Sequence, residues 1–138
     1  FDKKFNFKLG DMYQLTKNNS EVALIFTGNV SDLVLKTYKK LIKNNIRLDV
    51  FNLPTLKPVN CKQILNLCKN IKKIVTVEDH SIIGGLGSII SEVFNEKSIK
   101  LKMVGVNDKF AECGKRLELY EKYNMSEKNI YESVLDII

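Results

Sequence analysis

The sequence is poor in the side chains on which most polar chemistry depends. Its 138 residues hold one histidine, His80, two arginines, Arg47 and Arg116, and three cysteines, Cys61, Cys68 and Cys113. A single histidine excludes a two-histidine relay, and with no cysteine pair at ligand spacing it argues against a zinc site. Two arginines leave bidentate base readout poorly supplied. There is no Gly-x-Ser-x-Gly elbow and no Walker-type phosphate loop. No apolar run approaches the ~18 residues of a membrane span. An odd cysteine count without a regular framework fits a reducing, cytoplasmic setting.

What is present is the composition of an ordinary globular domain, 44% hydrophobic and 28% charged, with length enough for one substantial core. The net charge of +6 comes from scattered lysines: Lys36, Lys39, Lys40 and Lys43 on one predicted helix, Lys69, Lys72 and Lys73 around one turn, Lys97, Lys100 and Lys102 around another. Such spreading reads as solvated faces. A nucleic-acid surface would concentrate the charge and interleave aromatics, so no nucleic-acid partner and no membrane partner is expected.

The chain alternates strand and helix signals. The continuous apolar run at residues 21–27, ended by Gly28, predicts a strand buried on both faces. Ser31 is a good N-cap for a helix to about residue 44, with Val34, Tyr38, Leu41 and Ile42 as its apolar stripe. Ile46, Leu48 and Val50 alternate with Arg47 and Asp49 and predict a second strand, followed by a loop that carries Pro54 and Pro58. Asn60 caps a short helix on which Cys61 and Cys68, seven apart, share a core face. Residues 74–77 form a third strand, 87–95 a helix and 101–104 a fourth strand. Helices over 115–123 and after Ser126 complete the pattern. Strand–helix units in series predict an α/β fold, a parallel sheet with helices on both faces. Residues 21–138 read as the domain. Residues 1–20 read as a linker or edge-strand segment, with a weak strand or hairpin signal at 7–16.

The densest polar signal is Glu78-Asp79-His80 at the end of the third strand, followed by Gly84, Gly85 and Gly87 before an apolar helix. Binding residues of open α/β sheets collect at such strand ends. Gly85-Leu86-Gly87 with Ile90 supplies only two of the three glycines of a dinucleotide fingerprint, and on the wrong strand, so the glycines are expected to serve a tight turn and close helix–sheet packing. Glu78, Asp79 and His80 are expected to be a polar strand tip that bonds its own turn or faces another subunit. Consecutive strand residues point opposite ways, so at most two of them share a direction. No catalytic, cofactor-binding or metal-ligating residue is expected in this chain. Cys113, in a polar loop tied down by Phe110, would need a base to act as a nucleophile, and His80 is predicted on another strand end.

Three ordered motifs resemble the C-terminal domain of the transketolase family. They are Val75-Thr76-Val77-Glu78-Asp79-His80 with Gly84-Gly85-Leu86-Gly87, the run from Asp49-Val50-Phe51-Asn52-Leu53-Pro54 through Thr55-Leu56-Lys57-Pro58-Val59-Asn60, and Val104-Gly105-Val106 followed by Cys113-Gly114 and a capped, Ile-containing helix. The resemblance spans roughly residues 21–138. Asn60 replaces a common Asp, and Asn107-Asp108-Lys109 stands where Pro-Asp-Arg is frequent. The resemblance implies a three-layer α/β/α domain with a mostly parallel five-stranded sheet and one antiparallel edge strand. It implies a complete enzyme that uses thiamine diphosphate and Mg2+ to move a two-carbon ketol unit between sugar phosphates. Cofactor and metal would sit between two other domains, so this domain would bind neither and would support assembly. Its partners would be those domains, or a separate N-terminal subunit, within a homodimer. A related alternative is 1-deoxy-D-xylulose-5-phosphate synthase, which often has Glu-Asn where this chain has Asp79-His80. A third reading is a non-enzymatic interaction module on the same fold.

Overall fold

The computed structural model describes residues 5–110 and 112–138. Five strands and five helices follow one another as β1 (Tyr13–Gln14), β2 (Val22–Thr27), α1 (Ser31–Lys43), β3 (Asp49–Asn52), α2 (Cys61–Leu67), β4 (Lys73–Ser81), α3 (Leu86–Val93), β5 (Lys100–Val106), α4 (Arg116–Lys122) and α5 (Glu127–Ile137). They form one sheet in the order β1-β3-β2-β4-β5. All pairings are parallel except the edge pair β1–β3, with Tyr13 opposite Asn52.

The pleat explains why the central strands are apolar on both faces. Leu24, Phe26, Val75 and Val77 point into a core with Leu33, Val34 and Leu41 of α1, Tyr120 of α4, and Ile130, Val134 and Ile137 of α5. Their alternates Ala23, Ile25 and Ile74 point the other way, onto Ile64 of α2 and Leu86 and Ile90 of α3. The result is the three-layer α/β/α arrangement with a mostly parallel sheet.

Several local expectations shift for physical reasons. The second strand does not begin at Ile46. Asn45 takes a left-handed conformation (φ 61°) and the Ile46 N–H donates to the Leu41 carbonyl at 2.9 Å, closing α1, so the ladder starts at Asp49. On α1, Leu33 and Thr37 are buried while Tyr38 and Ile42 are half-buried, and Val30 rather than Ser31 stands at the cap. Cys61 and Cys68 do not share a core face: Cys61 opens α2 and is exposed, whereas Cys68 is buried just past its end. Phe110 does not tie down its loop; it is 99% exposed. Ala111 of that loop and residues 1–4 lie outside the described residues.

The segment read as a linker or edge strand supplies β1 and more. Met12 is buried in the core beside α2, and the N–H groups of Asn18 and Ser20 donate to the two carboxylate oxygens of the buried Asp49. The three cysteines give a simple check of this packing. Burial, and then the nearby Asp49 charge, push the Cys68 thiol up to about 12. A disulfide-exchange reagent at pH 8 should titrate Cys61 and Cys113 in the native chain and reach Cys68 only after unfolding. Three fast thiols would show that the α2 layer is open.

Candidate functional site

Neighbouring strands β2 and β4 send the chain in opposite directions. From β2 it passes through α1 to β3; from β4 it passes through α3 to β5, on the other face. The crevice outside their carboxyl ends is therefore the topological switch point of the sheet, where open α/β folds take their ligands. Thr27 of β2 stands opposite Glu78 of β4 at this edge.

The pleat turns Glu78 and Asp79 to opposite faces. Glu78 is fully buried and points toward α3. Its two carboxylate oxygens accept from the backbone N–H of Leu86 at 2.7 Å and of Gly87 at 3.0 Å. These are free donors of the first turn of α3, and a carboxylate there is favoured by the helix dipole. Burial pushes the Glu78 carboxyl above the ordinary glutamate range, against the pull of the Gly87 and Leu86 N–H groups and of His80.

Asp79 is exposed on the other face, and its carboxylate accepts from the Asn29 N–H at 2.9 Å, in the loop that leads into α1. The Asn29 carbonyl in turn accepts from Arg116 at 3.2 Å and from the Tyr120 hydroxyl at 3.3 Å, and Arg116 pairs with Asp32 at 3.0 Å. Burial, then the Asp79 carboxylate, raise the Tyr120 phenol, against the Arg116 guanidinium.

Each carboxylate has a glycine that makes room for it. A Cβ at Gly85 would lie 1.9 Å from Glu78 Oε2 and 2.6 Å from the Ser81 carbonyl oxygen. A Cβ at Gly28, where φ is +78°, would lie 1.9 Å from Asp79 Oδ1. Gly84 has φ +74° in open space, so its need is conformational. Gly87 lets α3 approach β5, since a Cβ there would meet Met103 Sδ at 2.5 Å. His80, third in the sequence run, sits exposed in an irregularity of the β4–β5 ladder between Val77 and Ser81, where bulges re-aim side chains.

The sequence run therefore divides. Glu78 serves the 84–87 turn, Asp79 ties β4 to the start of α1, and His80 faces outward. Gly28, Asn29, Arg116 and Tyr120 belong to the same edge but come from segments 36 or more residues away in the chain, and nothing in their local sequence links them to the 78–80 run. Among the described residues no three His, Cys, Asp or Glu side chains cluster as a metal site. No helix there is long and apolar enough to cross a membrane.

A family model described as "Transketolase, C-terminal domain" matches residues 11–130. The chain belongs to the transketolase C-terminal domain family. Such a domain accounts for the antiparallel edge strand and the doubly covered sheet. A protein named "Putative transketolase C-terminal section" from Methanocaldococcus jannaschii is 30% identical over 137 residues, which span 98% of this chain and 42% of that protein. A 1-deoxy-D-xylulose-5-phosphate synthase from Halothermothrix orenii is 31% identical over 128 residues, 91% of this chain and 20% of its own length. Among solved structures, "Split gene transketolase, inactive beta4 tetramer" superposes with TM-score 0.86 at 30% identity over 99% of this chain and 44% of that one. A transketolase from Leishmania mexicana, at 15% identity and TM-score 0.66 over 93% of this chain and 18% of that one, shares the fold. The transketolase C-terminal domain seen here thus spans less than half the length of these relatives.

A pH prediction follows from the Glu78 burial. Its native carboxyl is raised, so the unfolded chain releases that proton at a lower pH than the folded one. The share of stability linked to this group is fully present below the ordinary glutamate value, ~4.3, and is lost as pH rises through the raised native value. Chemical denaturation of Glu78→Gln from pH 4 to 7 should therefore show a more positive slope of stability against pH than the parent chain. An identical or less positive slope would mean that burial does not govern this carboxyl.

Proposed function

We propose that this chain is the C-terminal domain of a thiamine diphosphate-dependent transketolase, and that it supports assembly and holds neither cofactor nor metal. The complete protein would transfer a two-carbon ketol unit between sugar phosphates. The remaining domains, or a separate N-terminal subunit, would be its partners in a homodimeric, cytoplasmic enzyme. The observation that carries the division of labour is the occupied glycine turn. The α3 N–H donors that a diphosphate would seek already hold Glu78. Beside Asp79 lies a small cleft of about 140 Å³ whose charged lining side chains are the Asp79 and Glu112 carboxylates, a poor match for a phosphate. Neither of these two places fits the diphosphate of thiamine diphosphate, and no catalytic step is assigned to their residues. Calorimetry of this chain with thiamine diphosphate and Mg2+ should give no micromolar binding; a saturable heat at that level would overturn the division.

The synthase reading stays beside it because relatives of that name match at similar identity. The complete protein, supplied with cofactor and metal, decides between them. Sedoheptulose 7-phosphate from xylulose 5-phosphate and ribose 5-phosphate supports transketolase. Carbon dioxide and deoxyxylulose 5-phosphate from pyruvate and glyceraldehyde 3-phosphate support the synthase. No product from either pair supports the interaction module.

Exposed His80 and, beside it on β4, Asp79 are the strand-tip groups available to another domain or subunit; Glu78 is not, being buried. For His80→Ala in the complete protein we expect the subunit dissociation constant to rise by about 5-fold with turnover changed less than about 3-fold, as for one contact at an interface rim. A loss of several orders of magnitude in turnover with assembly intact would place His80 in the chemistry instead.

A further inference from the structure

We infer that Glu78 is an internal ligand of this fold: it fills the oxyanion cradle of the switch point from within, and emptying that cradle leaves a receptor for a small carboxylate or phosphate. The inference is independent of which reaction the complete protein performs.

Three observations converge on it. The acceptor is seen in place, a fully buried carboxyl group with each oxygen on a separate backbone N–H, Leu86 at 2.7 Å and Gly87 at 3.0 Å. Both residues that supply those N–H groups are themselves buried, so without an acceptor the donors would lose water as well as partner. Gly85 keeps the space free: its missing Cβ would sit 1.9 Å from Glu78 Oε2. The surroundings include one further favourable group, His80, whose field favours the charged carboxylate, and two unfavourable ones, the Asp79 charge and the Ser81 carbonyl at the rim. Across the sheet Asp79 makes the corresponding bond to Asn29 N–H beside Gly28, so both sides of the crevice are occupied by consecutive residues of one strand. The glycine-rich turn thus has the donors and the open backbone of a phosphate loop, and the chain supplies its own anion.

Truncating Glu78 to alanine removes the carboxylate and leaves both donors facing a space of its size. A free acetate or phosphate supplies the same acceptor chemistry from solution. The wild-type cradle, already filled, has no room for either.

The test is thermal unfolding of the full chain and of Glu78→Ala and Glu78→Gln in sodium acetate, inorganic phosphate or sodium chloride at equal ionic strength. The expected Tm of Glu78→Ala lies on the order of 10 °C below the parent in chloride. Acetate or phosphate should recover at least a third of that loss along a saturating curve, acetate alone marking a cradle of carboxylate size. The parent and Glu78→Gln should move by less than about 1 °C between salts, because side-chain atoms still fill the space. If Glu78→Ala does not fold in chloride, a higher refolding yield in acetate or phosphate is the same result. Two outcomes overturn the inference: equal behaviour of Glu78→Ala in all three salts, or saturable phosphate-induced shifts of the Leu86 and Gly87 amide resonances in the parent chain.

Discussion

Replacing Gly85 by valine should cost about 3–4 kcal/mol and lower the Tm by roughly 10 °C. The backbone is not the reason, because Gly85 has φ −93°, which any residue adopts. The reason is steric. The first added carbon falls 1.9 Å from Glu78 Oε2 and 2.6 Å from the Ser81 carbonyl. The carbonyl is backbone of the same tight turn, and the carboxylate is buried and held by two N–H groups, so neither has a free direction in which to move. Displacing Glu78 would leave a buried carboxyl group and two buried donors unpaired. Gly84→Ala is the control. Its φ of +74° brings strain of about 1–2 kcal/mol, with nothing within 4 Å of the new carbon. Denaturant unfolding of both variants decides the matter. Equal losses would show that conformation, not the Glu78 cradle, is what glycine serves in this turn. In the complete protein, Gly85→Val should also reduce assembly, because His80 and the exposed Ile83 flank the disturbed turn.

Gly28→Val is expected to cost about 3 kcal/mol, by a different route. Here φ is +78°, a region that a β-branched residue adopts only under strain. The three nearest atoms to the added carbon all belong to the Asp79 carboxylate, and Asp79 is exposed, so the side chain can swing into solvent. It would then release the Asn29 N–H, a charge-assisted bond. A double-mutant cycle separates the two parts. Asp79→Ala should offset the steric share but not the backbone strain, so Gly28→Val in that background should still lose about 1–2 kcal/mol, with a coupling near 1 kcal/mol. Strict additivity would mean that Gly28 and Asp79 do not share the space the structure gives them.

The parts of this architecture that were legible in sequence are those set by short-range pattern. The apolar run at 21–27 predicts a strand covered on both faces, and the structure has one at Val22–Thr27; Ile74, Val75 and Val77 likewise lie in a strand. Ser126 stands at the head of α5, where its N–H and hydroxyl both donate to Asn129 Oδ1, so the capping expectation holds with Asn129 as the acceptor. Errors gathered where tertiary contacts compete with local pattern. Cys61 and Cys68 have helical spacing, but α2 ends at Leu67 and turns Ile64 to the core, leaving Cys61 exposed at its start and Cys68 buried just past its end. Ile46 alternates correctly for a strand, yet its N–H is committed to closing α1.

The candidate site divides in the same way. That a strand ends in Glu78-Asp79-His80 before a glycine turn is written in consecutive residues, and the motif order places the chain in its family. Which of the three faces solvent is not written there, because the answer depends on pleat parity and on what lies across each face. Glu78 and Asp79 are chemically alike and adjacent. One is buried on the N-terminus of α3 and the other is exposed beside Asn29, 50 residues earlier in the chain. Local sequence determined the elements and their order, since strand and helix follow from hydrophobic period and caps. Only the tertiary structure decided which backbone donors each carboxyl group holds, because those donors are brought to it by packing α1 and α3 against opposite faces of one sheet.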